Sequence, residues 1–138
     1  MAIKSDGTLW GWGDNMWGQL GVGNHIEYHV PVQIGIDTDW SKVIASTDHS
    51  FAIKTDGTLW AWGENYFGVL GSMIPPTTVP LKIGTDTSWL NIASGQYHTI
   101  ALKSDSSLWS WGWNSSGQLG LGNFADYYTP QQIGNEKS

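Results

Sequence analysis

Histidine side chains are the first candidates for chemistry in this sequence, because two of them recur at matching positions. His49 and His98 occupy the same place in a repeated unit, and His25 and His29 lie four residues apart with Glu27 between them. Two histidines at that spacing can share a zinc ion on a helix, but no helical periodicity surrounds this pair. His49 and His98 have no acidic pair nearby, which favours a hydrogen-bonded histidine at a strand end. We therefore predict no metal site.

Aspartates recur as well, at Asp6, Asp56 and Asp105. Each stands in a short turn between two strand-like segments, a position that favours turn capping over acid–base catalysis. The sequence contains no cysteine and no serine in a G-x-S-x-G segment, so it offers neither of these nucleophiles. Its glycine-rich loops are not followed by Lys-Ser/Thr, as a phosphate-binding loop requires. The chain is therefore predicted not to be an enzyme, with no catalytic residue and no cofactor.

Aromatic residues in the segments that do not repeat are the better functional candidates. Tyrosine and tryptophan are strong anchors at protein interfaces. Other interpretations stay open: the rings fold inward as loop plugs, form a contact between copies of the chain, or stack on a sugar. The residues predicted to bind a protein partner are Trp17, Tyr28, Tyr66, Phe67, Tyr127 and Tyr128.

The elements that must position these residues come from a tandem repeat. The stretch K-T-D-G-T-L-W-A-W-G at residues 54–63 recurs as K-S-D-G-T-L-W-G-W-G and as K-S-D-S-S-L-W-S-W-G. The three copies begin 50 and 49 residues apart, a period typical of propellers and solenoids. We treat residues 1–138 as one domain that consists of repeats 1–50, 51–99 and an incomplete 100–138.

Each repeat divides into short strand segments, so the predicted fold class is all-β. In the second repeat, residues 51–54 and 59–62 flank a T-D-G-T hairpin turn, and further strands are expected near 81–83 and 89–95. Four short antiparallel strands form one propeller blade, so about three blades are expected per chain. The long loop after each hairpin shares an Asn, two Gly and a Leu. The Asn and Gly fit turns with left-handed backbone, and the Leu is predicted to plug the loop.

A Trp-x-Trp pattern follows each hairpin turn and predicts how the blades pack. Alternation along a strand places both tryptophans on one face of the sheet. The residue between them is small each time, Gly11, Ala61 or Ser110, which we interpret as clearance for a bulky ring from the adjoining blade. The six residues predicted to pack the blades are Trp10, Trp12, Trp60, Trp62, Trp109 and Trp111.

These units resemble the regulator of chromosome condensation repeat family. The match rests on A-I-K-T-D-G-T-L-W-A-W-G at residues 52–63, on G-Q-L-G at 18–21 and 117–120, and on A-S-G-Q-Y-H-T at 93–99. An Asp-Thr-x-Trp element at residues 37–40 and 86–89 looks like the bacterial branch of the family. Known members are typically seven-bladed propellers that present loop surfaces to other proteins or to their own copies. The resemblance therefore implies a non-enzymatic protein-interaction or scaffold module.

About three blades do not close such a ring, and an open arc would expose tryptophan-rich faces that favour aggregation. We therefore predict self-association, and a homodimer with about six blades is the favoured assembly. The alternative is a fragment of a larger secreted or cell-surface propeller that binds carbohydrate or inhibits an enzyme.

Composition excludes several partners. The net charge is −6, and all six basic residues are lysines, so the chain lacks the basic stripe that nucleic-acid binding requires. No apolar run approaches the ~20 residues that span a bilayer. The first residues also lack the apolar core of a signal peptide. We predict neither a nucleic-acid nor a membrane partner, and no compartment is indicated.

Overall fold

A computed structural model describes residues 1–134 of the chain. The last four residues of the predicted third repeat, 135–138, lie outside the described residues. Short strands account for nearly all the regular structure, and the one helical segment among the described residues is a 3-10 turn at Tyr66–Gly68. The strands are β1 (Ala2–Ile3), β2 (Leu9–Gly13), β3 (Tyr28–Ile34), β4 (Trp40–Ala45), β5 (His49–Lys54), β6 (Leu59–Gly63), β7 (Thr77–Lys82), β8 (Trp89–Ser94), β9 (His98–Lys103), β10 (Leu108–Gly112) and β11 (Tyr127–Ile133).

The strands form three antiparallel sheets in chain order, which are the blades of a β-propeller. Blade 1 contains β1, β2 and β3, blade 2 contains β4 to β7, and blade 3 contains β8 to β11. Every described pairing joins strands that are adjacent in the chain, as expected for short connections. The predicted all-β fold class and blade architecture are confirmed.

Sheets and sequence repeats are out of phase by one strand. Trp89 falls within sequence repeat 51–99, but β8, which begins there, pairs with β9 and so opens blade 3. Likewise β4, which begins at Trp40, pairs with β5 and opens blade 2. A three-residue turn connects each of these pairs, so the two strands form a hairpin, whereas a longer loop connects each outer strand to the next blade.

The hydrophobic core lies between neighbouring blades. In β5, Phe51 and Ile53 join one buried cluster while Ala52 joins the other, as the alternation of a strand requires. In β6, Trp62 faces blade 1, and Leu59 and Ala61 belong to the cluster that blades 2 and 3 share. Blade 2 thus buries one face against blade 1 and the other against blade 3.

The antiparallel strands give the array two ends. The hairpin end carries the short turns between β1 and β2, β5 and β6, and β9 and β10. The loop end carries the long loops after β2, β6 and β10 and the short turns after β4 and β8. Among the described residues, no helix is long and apolar enough to cross a membrane.

Candidate functional site

An asparagine organises each long loop at the loop end. The Asn65 side-chain amide donates to the carbonyls of Ser72 and Ile74 at 2.9 and 2.7 Å, and its Oδ1 accepts the Leu70 N–H at 2.9 Å. Asn65 has φ −124°, so it does not supply the left-handed backbone that the sequence indicated. The neighbouring glycines do, with φ +71° at Gly68. Equivalent side-chain bonds hold the other two loops, at Asn15 and Asn114.

The shared leucines lie beneath these loops. Leu20 is 3% exposed, and Leu70 and Leu119 are fully buried. This burial confirms the predicted plug.

Tryptophan indoles join each loop to the next blade. Trp62 Nε1 donates to the Gln19 carbonyl of blade 1 at 2.8 Å, and the Ser50 hydroxyl donates to the same oxygen at 2.7 Å. A Cβ on Gly21 would lie 2.7 Å from Trp62 Nε1, so only glycine admits the ring there. Trp111, Val69, Thr99 and Gly71 repeat this joint between blades 2 and 3.

The space beside Gly11, between the paired tryptophans, was expected to hold a ring from the adjoining blade, but other side chains fill it. A Cβ there would lie 3.1 Å from Ile34 and 3.3 Å from Leu20, which are aliphatic side chains of the same blade. Space for the tryptophan ring of the adjoining blade is therefore provided by the loop glycine, Gly21. The small residue between the paired tryptophans, Gly11, instead makes room for the loop leucine, Leu20.

Five aromatic side chains at the loop end form what we call the aromatic surface: Trp17, Tyr66, Phe67, Tyr97 and Trp113. The centroid of the Phe67 ring lies 5.5 Å from that of Tyr97 and 5.9 Å from that of Trp113, and the Tyr97 and Trp113 centroids are 6.2 Å apart. Trp17 and Tyr66 form an edge-on pair at 6.3 Å. These distances are in the range of favourable aromatic pairs. The surface spans loops of all three blades.

Phe67 holds its exposed position through an uncommon backbone conformation. Its φ is +56°, in the left-handed region that costs a non-glycine residue about 1–2 kcal/mol. Although the Phe67 ring contacts Tyr97 and Trp113, 40% of the residue stays exposed. Strain of this kind at an exposed loop residue is a reason to look for function there.

The other predicted loop residues are placed differently. The hydroxyls of Tyr28 and Tyr127 accept hydrogen bonds from Asn24 and Asn123 at 3.0 and 3.2 Å, within their own loops. Tyr128 of blade 3 packs on blade 2, where a Cβ on Gly68 would lie 2.5 Å from its ring. Of the six predicted residues, the structure brings Trp17, Tyr66 and Phe67 to the aromatic surface.

Two members of the aromatic surface, Tyr97 and Trp113, were missed from the sequence. Both lie next to repeated residues, and each has an acidic counterpart in the preceding repeat: Asp48 for Tyr97 and Glu64 for Trp113. This replacement of an acidic residue by an aromatic one at equivalent repeat positions could have identified Tyr97 and Trp113 from the sequence.

Carboxylates lie beside the rings. Asp48, Glu64, Tyr66 and Tyr97 line a recess that has no room for a water molecule. Glu64 is 8% exposed, and its Oε1 accepts the Asn65 N–H at 3.0 Å. The site is therefore a face with charge at its edge rather than a cavity for a small molecule.

His49 lies next to this recess and is buried between blades 2 and 3. Its Nε2 is 2.7 Å from the Ser94 hydroxyl, and burial lowers its pKa to about 4. The predicted hydrogen-bonded strand-end histidine is confirmed there. The exposed His29 instead pairs with Glu27 at 3.3 Å. Within residues 1–134, no group of three or more His, Asp or Glu side chains is placed to hold a metal ion.

At the hairpin end, the repeated aspartates cap turns. Asp56 accepts the Thr58 N–H at 3.0 Å and the Thr58 hydroxyl at 2.7 Å, and that hydroxyl accepts Trp60 Nε1 at 2.9 Å. These hydrogen bonds lower the pKa of Asp56. The same relay recurs from Asp6 and Asp105, which confirms turn capping.

Lysines stack on the same tryptophans. Lys54 Nζ lies 4.8 and 4.7 Å from the ring centroids of Trp40 and Trp60, and 2.8 and 3.0 Å from carboxylate oxygens of Asp37 and Asp39. Burial alone would lower the pKa of Lys54, but the bonds to both carboxylates outweigh it and raise that pKa.

Blade 3 repeats the arrangement with Lys103 between Trp89 and Trp109. Lys103 also bonds to Asp86 and is the largest cause that lowers the Asp86 pKa to about 2. The hairpin end thus combines cation, rings and carboxylates.

With this geometry established, comparison with known proteins identifies the family. The family model for the regulator of chromosome condensation (RCC1) repeat matches residues 6–53, 56–102 and 105–138. The chain belongs to the RCC1 repeat family. A second RCC1 repeat model matches residues 40–69 and 89–118.

Solved structures of this family have the same fold. Prp20p of Saccharomyces cerevisiae superposes with a TM-score of 0.85 at 24% identity, over 97% of this chain and 36% of that one. Human WBSCR16 superposes with a TM-score of 0.82 at 26% identity, over 96% and 36%. The ultraviolet-B receptor UVR8 of Arabidopsis thaliana is 48% identical over 46 residues, which are 33% of this chain and 10% of the receptor. The chain spans about a third of the solved relatives it matches.

Proposed function

We propose that this RCC1-type chain is a non-enzymatic protein-interaction module that binds its partner through the aromatic surface. The observation that carries the proposal is the contact of Phe67 with Tyr97 and Trp113, which places one exposed and two half-buried rings from two blades side by side. Exposed aromatic clusters mark protein interfaces more often than single rings do. The recess beside them has no room for a water molecule, which favours a macromolecule over a small ligand.

Related proteins support this proposal. The Prp20p structure was studied together with its binding to Gsp1p and histones, and the same yeast protein was also solved bound to Kap60. Binding to other proteins is the feature that these two structures share.

A displayed library of random peptides tests the binding function. We expect selection on the immobilised chain to enrich peptides that no longer bind after Phe67→Ser or Trp113→Ser. The matched control is Leu90→Ser, because Leu90 is 48% exposed on a different surface. No enrichment, or enrichment that these two substitutions leave unchanged, would contradict the proposal.

We also propose self-assembly, because the two outer faces of the array are complementary halves of the joint between blades. Trp62 and Trp111 are fully buried in that joint, whereas the equivalent Trp12 is 44% exposed. At the other face, the atoms nearest to a Cβ on Gly120 belong to Ile133, at 3.7 Å or more, and no indole lies that close. Trp12 of one copy could therefore dock on the Gly120 loop of a second, and a homodimer with about six blades is favoured.

Solution mass tests assembly. We expect a concentration-dependent dimer that Trp12→Ala and Gly120→Ala both weaken. Gly84→Ala is the matched control, because Gly84 has a similar positive φ of +63° and open space around it. A well-folded monomer at micromolar concentration would reject self-assembly. It would instead favour further blades of a longer chain as the elements that cover the two outer faces.

The alternative of a larger propeller that binds carbohydrate or inhibits an enzyme makes different predictions. A sugar-binding module would show saturable changes in tryptophan fluorescence with glycans. An inhibitor would slow its target enzyme through the loop end. The assignments of the loop aromatics to binding and of the paired tryptophans to blade packing remain proposals that these experiments address.

A further inference from the structure

The two ends of the array differ in where the chain supplies cations. Among the described residues, Lys4, Lys54, Lys82 and Lys103 lie at or beside the hairpin end, and the remaining one, Lys42, donates from mid-strand to the Leu90 carbonyl at 2.6 Å. The loop end contains no lysine in that part of the chain, and the sequence has no arginine. Its described acidic residues are Asp14, Glu27, Asp48, Glu64 and Asp126.

The hairpin end shows how this protein uses such residues together. Lys54 lies against two tryptophans and is held by two carboxylates, so the fold already combines ring, carboxylate and cation. Attraction between a cation and a ring face contributes about 0.5–2 kcal/mol, depending on how far the cation is removed from water.

The loop end contains the rings and the carboxylates without a cation from the described residues. Within residues 1–134, the Asp48 carboxylate makes no hydrogen bond or ion pair, and the only hydrogen bond to the Glu64 carboxylate is the Asn65 N–H on Oε1. Glu64 is more than nine-tenths buried, and a buried carboxylate without a cationic partner is unfavourable. Both carboxylates line one recess with Tyr66 and Tyr97.

We propose that the aromatic surface binds an arginine side chain from a cationic segment of the partner protein. Arginine fits better than lysine, because a planar guanidinium can stack on a ring while its N–H groups donate to a carboxylate. The rings of Phe67, Tyr97 and Trp113 would contact its plane, the partly exposed Asp48 carboxylate would accept its hydrogen bonds, and the buried Glu64 carboxylate would add negative charge nearby. This inference rests on the proposed function and adds the chemistry of the partner.

Peptide titration tests the inference with the whole chain. The probes are three glycine–serine peptides that differ at two positions, which hold arginine, lysine or the neutral isostere citrulline. Binding is followed by calorimetry and tryptophan fluorescence at low and at physiological salt. We expect the arginine peptide to bind most tightly, the lysine peptide about threefold more weakly, and the citrulline peptide at least about tenfold more weakly.

Matched charge variants separate a specific site from general attraction to an acidic protein. We expect Asp48→Asn and Trp113→Leu each to weaken arginine-peptide binding about fivefold. Asp37→Asn changes the net charge equally at the hairpin end and should change the dissociation constant less than about twofold. Circular dichroism and thermal melting confirm that each variant is folded.

Two outcomes would overturn the inference. Equal losses in Asp48→Asn and Asp37→Asn would show attraction by net charge alone, and equal binding of the citrulline peptide would show that the cation is not recognised. If selected library peptides lack arginine but still depend on Phe67 and Trp113, the binding function stands and this inference fails. If no peptide depends on those two residues, both fail.

Discussion

The hairpin end and the loop end consist of the same strands but differ in which of their residues recur from blade to blade. At the hairpin end, an Asp, a hydroxyl residue, a Trp and a Lys recur in all three blades, and each Lys stacks on a Trp ring. At the loop end, a repeated Asn holds each loop from beneath, while the exposed residues change from blade to blade. Repetition therefore marks the parts that hold the fold together, and variation marks the surface available for recognition.

The largest effect on stability is expected where a repeated residue supports the variable surface. Asn65→Ala removes three side-chain hydrogen bonds and leaves the carbonyls of Ser72 and Ile74 without that partner. We expect a loss of about 2–4 kcal/mol in the free energy of unfolding. Urea denaturation measures this loss, and Asn91→Ala, at an exposed position of β8, is the control whose stability should not change. Equal stability of both variants would show that the loop end does not depend on this amide.

A pH effect of similar size is expected from His49, because its pKa falls from 6.5 to about 4 on folding. The unfolded state then binds the extra proton between those pH values, so the stability is complete above about pH 6.5 and is lost as the pH falls toward 4. The shift corresponds to roughly 3 kcal/mol. We expect His49→Gln to flatten the curve of unfolding free energy against pH in this window. A parallel curve would mean that His49 does not cause the dependence.

A smaller effect is expected from a cation at the hairpin end. Lys54→Met keeps an apolar stem but removes the charge between Trp40 and Trp60 and its bonds to Asp37 and Asp39. We expect the free energy of unfolding to fall by about 1 kcal/mol, whereas exposed Lys82→Met should stay within about 0.5 kcal/mol. Thermal and urea denaturation compare the two. A larger loss in Lys82→Met would break the proposed role of the stacked lysines.

The smallest effect on stability, and the largest on binding, is expected at Phe67. Glycine adopts the φ of +56° without the steric cost that Phe67 bears, and this gain offsets the lost ring contacts with Tyr97 and Trp113. We expect Phe67→Gly to change the unfolding free energy by less than about 1 kcal/mol while it abolishes peptide binding. Full binding by a stable Phe67→Gly variant would contradict the comparison between the two ends.

Sequence reasoning predicted the fold because its signals are local. The hairpin turn and the alternation along β6 depend on a few neighbouring residues, and the recurring period repeats them along the chain. The blades and their two faces could therefore be predicted from these signals. The loop leucines were also recognised. The role of Asn65 was wrong, because a residue typical of left-handed turns acts here through side-chain bonds to carbonyls seven and nine residues away. That choice depends on how the whole loop closes.

The candidate site was predicted only in part. Trp17, Tyr66 and Phe67 were named from the sequence, but Tyr97 and Trp113 lie far from them in the chain and meet Phe67 only because blade 3 packs on blade 2. The offset between sheets and repeats has a similar origin, since the repeat period alone does not decide whether β8 pairs forward or backward. Pairing with β9 through a short turn decides it.

By itself, the sequence determined the repeated blade, its capped hairpin and the positions of its paired tryptophans, because turns and strand alternation are set by neighbouring residues. Only the tertiary structure decided which equivalent residues are buried. Trp62 and Trp111 are enclosed, whereas Trp12, at the equivalent position of the Trp-x-Trp-Gly motif, is 44% exposed. The physical reason is that a blade face becomes core only when another blade covers it, and that cover comes from a different part of the chain or from a partner.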